Sequence, residues 1–328
     1  MSQFLIPDLK EEMVLTERFI TEYLAPVSLN QTVDHIFSHV LSARGKRLRP
    51  QLLLLAGRYG KYYHEKRECL CRLGALVELV HLASLIHDDI VDDSPLRRGR
   101  PTVQAHFGKD MAVYAGDLVL SRAMQILFSE KFYEAGKWFG ITIEKMCTGE
   151  IGQYARKFQP ETGIEDYRRN IYGKTAALFE LACRLGASEA GCDREMSAFL
   201  ESIGRNFGML FQMRDDLLDY LSVEEKEGKP TGRDFEEGIL TLPVLYALEA
   251  PDYADEIRTL IRLAKEGDFH GEERKRLSAL IRESGGMKKA LRDYRELSHE
   301  LARQVGHLPA QKETKMFAAI LEKLAVPI

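Results

Sequence analysis

The 328-residue sequence predicts an all-α protein, and three observations carry that reading. Between the eleven prolines, apolar residues recur three and four positions apart, which gives a helix one apolar face. No stretch alternates apolar and polar residues between Asn-Gly or Asp-Gly turns, so strands are not expected. No low-complexity linker divides the chain, which therefore reads as a single domain over residues 1–328. Usual helix lengths make that roughly a dozen helices.

In chain order, the opening MSQFLIPDLKEEM brings acidic residues at once and has no long apolar run, so no signal peptide is expected. A basic cluster follows, Gly45-Lys46-Arg47-Leu48-Arg49-Pro50. Leu52 to Ala56 is the most apolar short run and falls far short of a membrane span, so a cytoplasmic protein without one is expected. Leu73, Leu76, Val77, Val80 and Ser84 mark a long apolar helix that ends in HDDIVDD at 87–93. The turn-rich segment Ser94 to Thr102 contains a second basic cluster, Arg97-Arg98-Gly99-Arg100. After the turn at Gln159 to Gly163, Lys174 and Thr175 interrupt an apolar helix, IYGKTAALFE. Leu200, Ile203, Phe207, Leu210 and Phe211 mark another long helix, ending in RDDLLDY at 214–220. A third basic cluster, Gly228-Lys229-Pro230, lies in the turn-rich segment Glu227 to Gly238. From about Asp255 the chain is charged and amphipathic and reads as outer helices with solvated faces.

Composition removes several functional classes. With a net charge of −4 and a pI near 6.2, the chain is not built for nucleic acid. Five cysteines (Cys69, Cys71, Cys147, Cys183 and Cys192) show no repeated CxxC spacing, which excludes a disulfide framework or zinc site and fits reduced thiols.

The aspartate clusters carry the chemistry. Asp88 and Asp92 are four apart and share a helix face. Like charges roughly 6 Å apart repel by about 3 kcal/mol at an effective dielectric near 20, so a cation is expected between them. Asp215, Asp216 and Asp219 repeat the arrangement. Hard carboxylate oxygens without Cys or His partners suit magnesium, which keeps several waters and binds through few carboxylates plus substrate phosphates. Two such sets would hold a diphosphate between them. The D-x-D-x-D-G spacing of an EF-hand is absent. Metal neutralises only part of a diphosphate, and the basic clusters beside the aspartates supply further positive charge. His81 lies seven residues before Asp88, on the same helix face two turns away.

Together these residues resemble the trans-prenyl diphosphate synthase family, in particular long-chain synthases of the heptaprenyl catalytic-subunit type. The match runs through GKRLRP (45–50), HLASLIHDDIVDDSPLRRGRPT (81–102), GEIGQ (149–153), KTAALF (174–179), GMLFQMRDDLLDY (208–220), GKPTGRD (228–234) and TLPVLYAL (241–248). The resemblance implies a helical bundle around a central cavity, dimeric, using several Mg2+ ions. It implies that Asp88, Asp92, Asp215 and Asp219 bind metal. An allylic diphosphate such as farnesyl diphosphate would meet Arg97, Lys174 and Lys229. Isopentenyl diphosphate would meet Lys46, Arg49, His81 and Arg98, with Thr175 and Gln212 beside the reacting carbons. The implied chemistry is ionisation of the allylic diphosphate, condensation and proton loss.

In the family, aromatic residues four or five positions before the first aspartate block the product tunnel. Here Ala83 and Ser84 are small, and Val80 and Val77 continue down the helix at about 5.4 Å per turn. A product of hexaprenyl to decaprenyl length is expected, with heptaprenyl the best match, of the kind that becomes a menaquinone tail. A floor contributed by Met124 or Phe128 would shorten it toward a farnesyl or geranylgeranyl product. A class I terpene cyclase fits less well, because this chain has a second DDxxD and the GKRLRP cluster. A catalytic subunit that needs a small regulatory partner is the remaining variant. The ending LEKLAVPI lacks the basic tail of many relatives.

Overall fold

The computed structural model describes residues 6–25, 30–42, 45–221, 232–309 and 312–324. The expected contact of Lys229, and its neighbours Gly228 and Pro230, lie outside the described residues. Sixteen α-helices are present among the described residues, and the all-α expectation holds. The chain divides into two compact units: Met1–Ile141 with Leu178–Gly204, and Thr142–Ala177 with Arg205–Ile328.

In the first unit, α4 (Arg67–Val91) is the central element. It packs against α1 (Lys10–Tyr23), α3 (Leu48–Gly57) and α6 (Lys109–Ser129). Leu73, Leu76, Val77 and Leu79 are fully buried, and each such side chain contributes about 1.5–3 kcal/mol. α2 (Gln31–Ser42) packs against the short α5 (Val103–Phe107), which starts where Thr102 Oγ1 accepts from Ala105 N at 3.2 Å. By length and composition α4 and α6 could each cross a membrane, which the search for one apolar run overlooked. Burial of 72% of the α4 window marks it as a core helix; only 33% of the α6 window is buried.

The expectation of no strands needs one correction. Leu96–Arg97 and Arg100–Pro101 pair as a two-residue antiparallel hairpin. Arg98 (φ 53°) and Gly99 (φ 75°) turn the chain, both left-handed, which is the backbone of a primed hairpin turn. An arginine at the first turn position hides the signal that Asn-Gly would have given. The hairpin is tied to α2 by Arg100 Nη1 donating to Ser42 O at 2.9 Å and by His39 Nε2 against Pro101 O at 2.9 Å.

In the second unit, α8 (Ile164–Ile171) runs into a π-helical turn, Tyr172–Ala176. α12 (Leu242–Leu248) packs against α13 (Pro251–Glu266) and α15 (Gly286–His307). Pro251 opens α13 at a position that needs no amide hydrogen, and Gly267 (φ 83°) closes it in the left-handed region. A short helix, α11 (Arg233–Glu236), and α14 (Gly271–Glu283) complete this part. α16 (Lys312–Glu322) packs on α15, and Tyr294 of α15 donates to Leu324 O just beyond it. The helices α7 (Tyr133–Ala155), α9 (Ala177–Glu189) and α10 (Arg194–Leu221) supply the remaining site residues.

Candidate active site

The first aspartate motif occupies the last turn of α4, where exposed carbonyls already give the helix end negative character. Carboxylates there are unfavourable without a cation. Asp88 is half-buried, and Asp92 is the C-cap, its N–H bonded to Asp88 O at 2.9 Å. Asp89, between them, is buried and accepts from Arg97 Nε at 2.8 Å. Burial raises its pKa and Arg97 opposes the rise. Gln104 Nε2 donates to Asp89 O at 2.7 Å and fixes the helix end against α5.

Two turns back on α4, His81 lines a cavity of about 60 Å³ with Arg47, Glu78, Asp89, Arg97 and Arg98. Loss of solvent, then the charges of Arg49, Arg98, Arg97 and Arg47, hold the His81 pKa well below its usual value, so the ring is neutral at pH 7. Arg49 stacks over the Phe179 ring at 4.3 Å. Its Nε is buried without a hydrogen-bond partner among the described residues. Burial lowers the Arg49 pKa to about 10, against opposing pulls from Glu78 and Asp88. Lys46 is exposed at the entrance to this segment. At Gly45 a Cβ would lie 2.9 Å from Arg98 Nη1, so the GKRLRP segment and the hairpin meet at this point.

Arg47 does a different job from its neighbours. It is buried, left-handed (φ 50°), and bonded to Glu17 at 2.8 Å and Glu78 at 2.7 Å. It anchors the segment that carries Lys46 and leads into α3, which carries Arg49. The expected substrate contacts leave out Arg47, although its buried partner Glu78, 31 residues away, leaves no local signal.

In the second unit, Lys174 and Thr175 sit on the π turn, a rare distortion concentrated at functional sites. Gly149 of α7 and Gly173 make the turn possible: a Cβ on Gly149 would lie 2.9 Å from both Gly173 Cα and Lys174 N. Lys174 Nζ pairs with Glu150 Oε1 at 3.2 Å, so Glu150 of GEIGQ joins the site. Thr175 Oγ1 donates to Gln212 Oε1 at 2.6 Å, and Gln212 Nε2 donates to Asp216 Oδ1 at 2.8 Å. Tyr167 Oη donates to Asp216 Oδ2 at 2.5 Å.

Near the end of α10, Asp215 is 46% exposed and lies 3.6 Å from Arg214 Nη1. Asp216 is buried, and burial pushes its pKa up to about 6 despite the donors around it. Asp219, expected as a metal ligand, accepts from the backbone N–H groups of Arg233 (3.3 Å) and Asp234 (3.4 Å) at the start of α11. Asp234 was missed by the sequence reading. Burial, then Asp216 and Asp219, raise its pKa well above the usual range.

The expected chain-length residues follow α4. Val77, Val80 and Ala83 are buried, and Ser84 Oγ is half-buried and bonded to His81 O at 2.9 Å. His87, on the same face as Val80 and Ala83, sits against Gly116 of α6, where a Cβ would fall 2.3 Å from its Nε2. The buried face of α6 is mostly small: Ala112, Ala115, Gly116, Val119 and Ala123. Phe128 is 67% exposed and forms no floor within one chain.

Among the described residues no three His, Cys, Asp or Glu side chains form a ready metal-binding group. The donor chemistry still fits magnesium. Hard carboxylates crowd two negative helix ends, and those of Asp216 and Asp234 are buried at raised pKa. An ion held largely by substrate phosphates and water needs no preformed cage.

The fold is helical, two of its helix ends carry aspartate clusters, and arginines line a cavity beside the first of them. The chain belongs to the polyprenyl synthetase family, whose sequence profile matches residues 30–278. It is 39% identical over 222 residues to the heptaprenyl diphosphate synthase component 2 of Bacillus subtilis, covering 68% of this chain and 63% of that protein. It superposes on the crystal structure of heptaprenyl diphosphate synthase from Staphylococcus aureus with a TM-score of 0.87 and 28% identity, covering 96% and 97% of the two chains. A geranylgeranyl pyrophosphate synthase from Lactobacillus brevis matches with the same TM-score of 0.87 at 26% identity, covering 97% of each chain. The fold therefore does not discriminate product length.

Proposed function

We propose that this chain is a magnesium-dependent, long-chain trans-polyprenyl diphosphate synthase acting as one catalytic domain. It condenses isopentenyl diphosphate onto an allylic diphosphate such as farnesyl diphosphate. The observation that carries the reading is the end of α4, where an arginine-lined cavity around a neutral His81 adjoins the Asp88–Asp92 pair. Lys46, Arg49, His81 and Arg98 hold isopentenyl diphosphate. Arg97, Lys174 and Lys229 take up the negative charge of the allylic diphosphate, with Lys174 exchanging Glu150 for a phosphate oxygen. Asp88, Asp92 and Asp215 would hold Mg2+, which when bound neutralises the diphosphate and makes it a better leaving group. The allylic C–O bond breaks and its electron pair leaves with the diphosphate. The oxygens of Thr175 and Gln212 face the allylic cation. The double bond of isopentenyl diphosphate supplies the pair for the new C–C bond, and the resulting cation loses a proton to the released diphosphate.

Ala83, Ser84 and the small face of α6 support a hexaprenyl to decaprenyl product, with heptaprenyl expected. The apolar α6 surface (Met111, Tyr114 and Phe128 are exposed) is the face a second copy would cover in a homodimer. A heteromer with a small regulatory subunit is the second arrangement, favoured by the "component 2" in the name of the Bacillus relative. The purified chain is to be incubated with farnesyl diphosphate, labelled isopentenyl diphosphate and Mg2+, and its products sized. Labelled chains of six to ten isoprene units support the reading. No incorporation, with or without a candidate small subunit, overturns it.

A further inference from the structure

Asp216 lies inside the second aspartate motif, and both of its carboxylate oxygens are engaged in the network described above. Its two carboxylate oxygens take one donor each, Gln212 Nε2 at 2.8 Å and Tyr167 Oη at 2.5 Å. Asp216 and Tyr167 are both buried, as is Thr175 at the far end of the chain of bonds. An ionised carboxylate only accepts, so the amide of Gln212 must turn its NH2 toward Asp216 and its oxygen toward Thr175. Thr175 Oγ1 then spends its hydrogen on Gln212 Oε1 at 2.6 Å and keeps its lone pairs for whatever lies beyond. Burial, then the charge of Asp216, raise the Tyr167 pKa well above its usual value, so the hydroxyl stays a donor. Tyr167 reaches this position because α8 is fixed on its other side, where Arg168 Nη2 lies 3.5 Å from Asp293 Oδ2.

We propose that Tyr167 is a positioning residue that, through Asp216, sets the orientation of the Gln212 amide and the Thr175 hydroxyl. This rests on the functional reading above, which places those two oxygens beside the allylic cation. Tyr167 touches neither substrate. It fixes which way two dipoles point, and dipoles fixed in advance of charge development lower a barrier without changing ground-state affinity.

A pair in the first unit supplies the control. Tyr63 donates to the buried Glu12 at 3.0 Å, as Tyr167 does to Asp216, but with no link to Gln212. Tyr167→Phe is expected to lower kcat about 10- to 100-fold, as removal of an outer-shell partner commonly does, with KM for both substrates within about twofold. Tyr63→Phe is expected to lower the melting temperature comparably and to leave kcat within about twofold. In a Gln212→Ala background, Tyr167→Phe should change kcat by less than about threefold, because its route to the reaction is gone. The side-chain NH2 resonance of Gln212, read by NMR on glutamine-labelled protein, should move in Tyr167→Phe and not in Tyr63→Phe. That resonance reports the network without turnover, so an inactive wild type would overturn the functional reading while this inference is still decided. An unmoved Gln212 resonance in Tyr167→Phe overturns it, as does an equal loss of kcat in the wild-type and Gln212→Ala backgrounds.

Discussion

At the end of α4 the inner aspartate, Asp89, is buried against the Arg97 guanidinium, whereas at the end of α10 its counterpart Asp216 is buried against two neutral donors. The motif letters are the same and the surroundings are not. In each case the inner aspartate is turned into the protein and organises other side chains. Asp89 holds an arginine where an anion would sit. Asp216 holds a tyrosine and an amide, and through the amide a hydroxyl. The proposed metal ligands are the flanking aspartates, Asp88 and Asp92 in one motif and Asp215 in the other. DDxxD is therefore less a list of three equivalent ligands than an outer ligand set with an inner strut.

The largest effect expected from breaking this comparison is at the outer positions. Asp88→Asn or Asp215→Asn should each lower kcat/KM by about 10²–10³-fold, the scale of removing a main electrostatic stabiliser, measured by isopentenyl incorporation. At the inner positions the two ends should diverge. Asp89→Asn frees Arg97 and should raise KM for the allylic substrate by about tenfold with kcat little changed. Asp216→Asn should lower kcat by a similar factor with KM little changed. Equal KM effects at both would erase the distinction. Ser84→Phe should shorten the product by at least one isoprene unit, since one helical turn spans about 5.4 Å. An unchanged product on chromatography removes Ser84 from the tunnel.

The smallest effect concerns stability. The Asp216 pKa is raised to about 6, above the ordinary value of 3.8. The folded state therefore binds more protons than the unfolded state between those values. Its contribution to stability is fully present below the lower value and is lost as pH rises through about 6. In metal-free buffer the melting temperature of the wild type should fall by a few degrees across this window relative to Asp216→Asn. Parallel curves for the two proteins would show that Asp216 does not titrate there.

What the sequence made legible was the part of the site with no structural excuse. Carboxylates four apart at the end of an apolar helix repel one another and meet the wrong end of the helix dipole, so Asp88, Asp92 and Asp215 stood out. Lys174 stood out because a lysine interrupts an apolar helix, although nothing forecast the π turn that carries it. Partners far away in sequence were hidden. Tyr167 is 49 residues from Asp216, and a tyrosine on an amphipathic helix looks like core. The contact of Asp219 with α11 was hidden too, because it depends on where the chain returns after the motif. The hairpin at Leu96–Pro101 was missed because an arginine, not an asparagine, takes the left-handed position.

The proposal that the two motifs serve one diphosphate is tested most directly by the kinetics of Asp88→Asn, Asp215→Asn and the double variant under saturating Mg2+. Groups that act as one unit are strongly non-additive. The double variant should have a kcat/KM within about tenfold of the worse single variant. Losses that multiply, so that the double variant shows the product of the two single effects, would contradict a shared site.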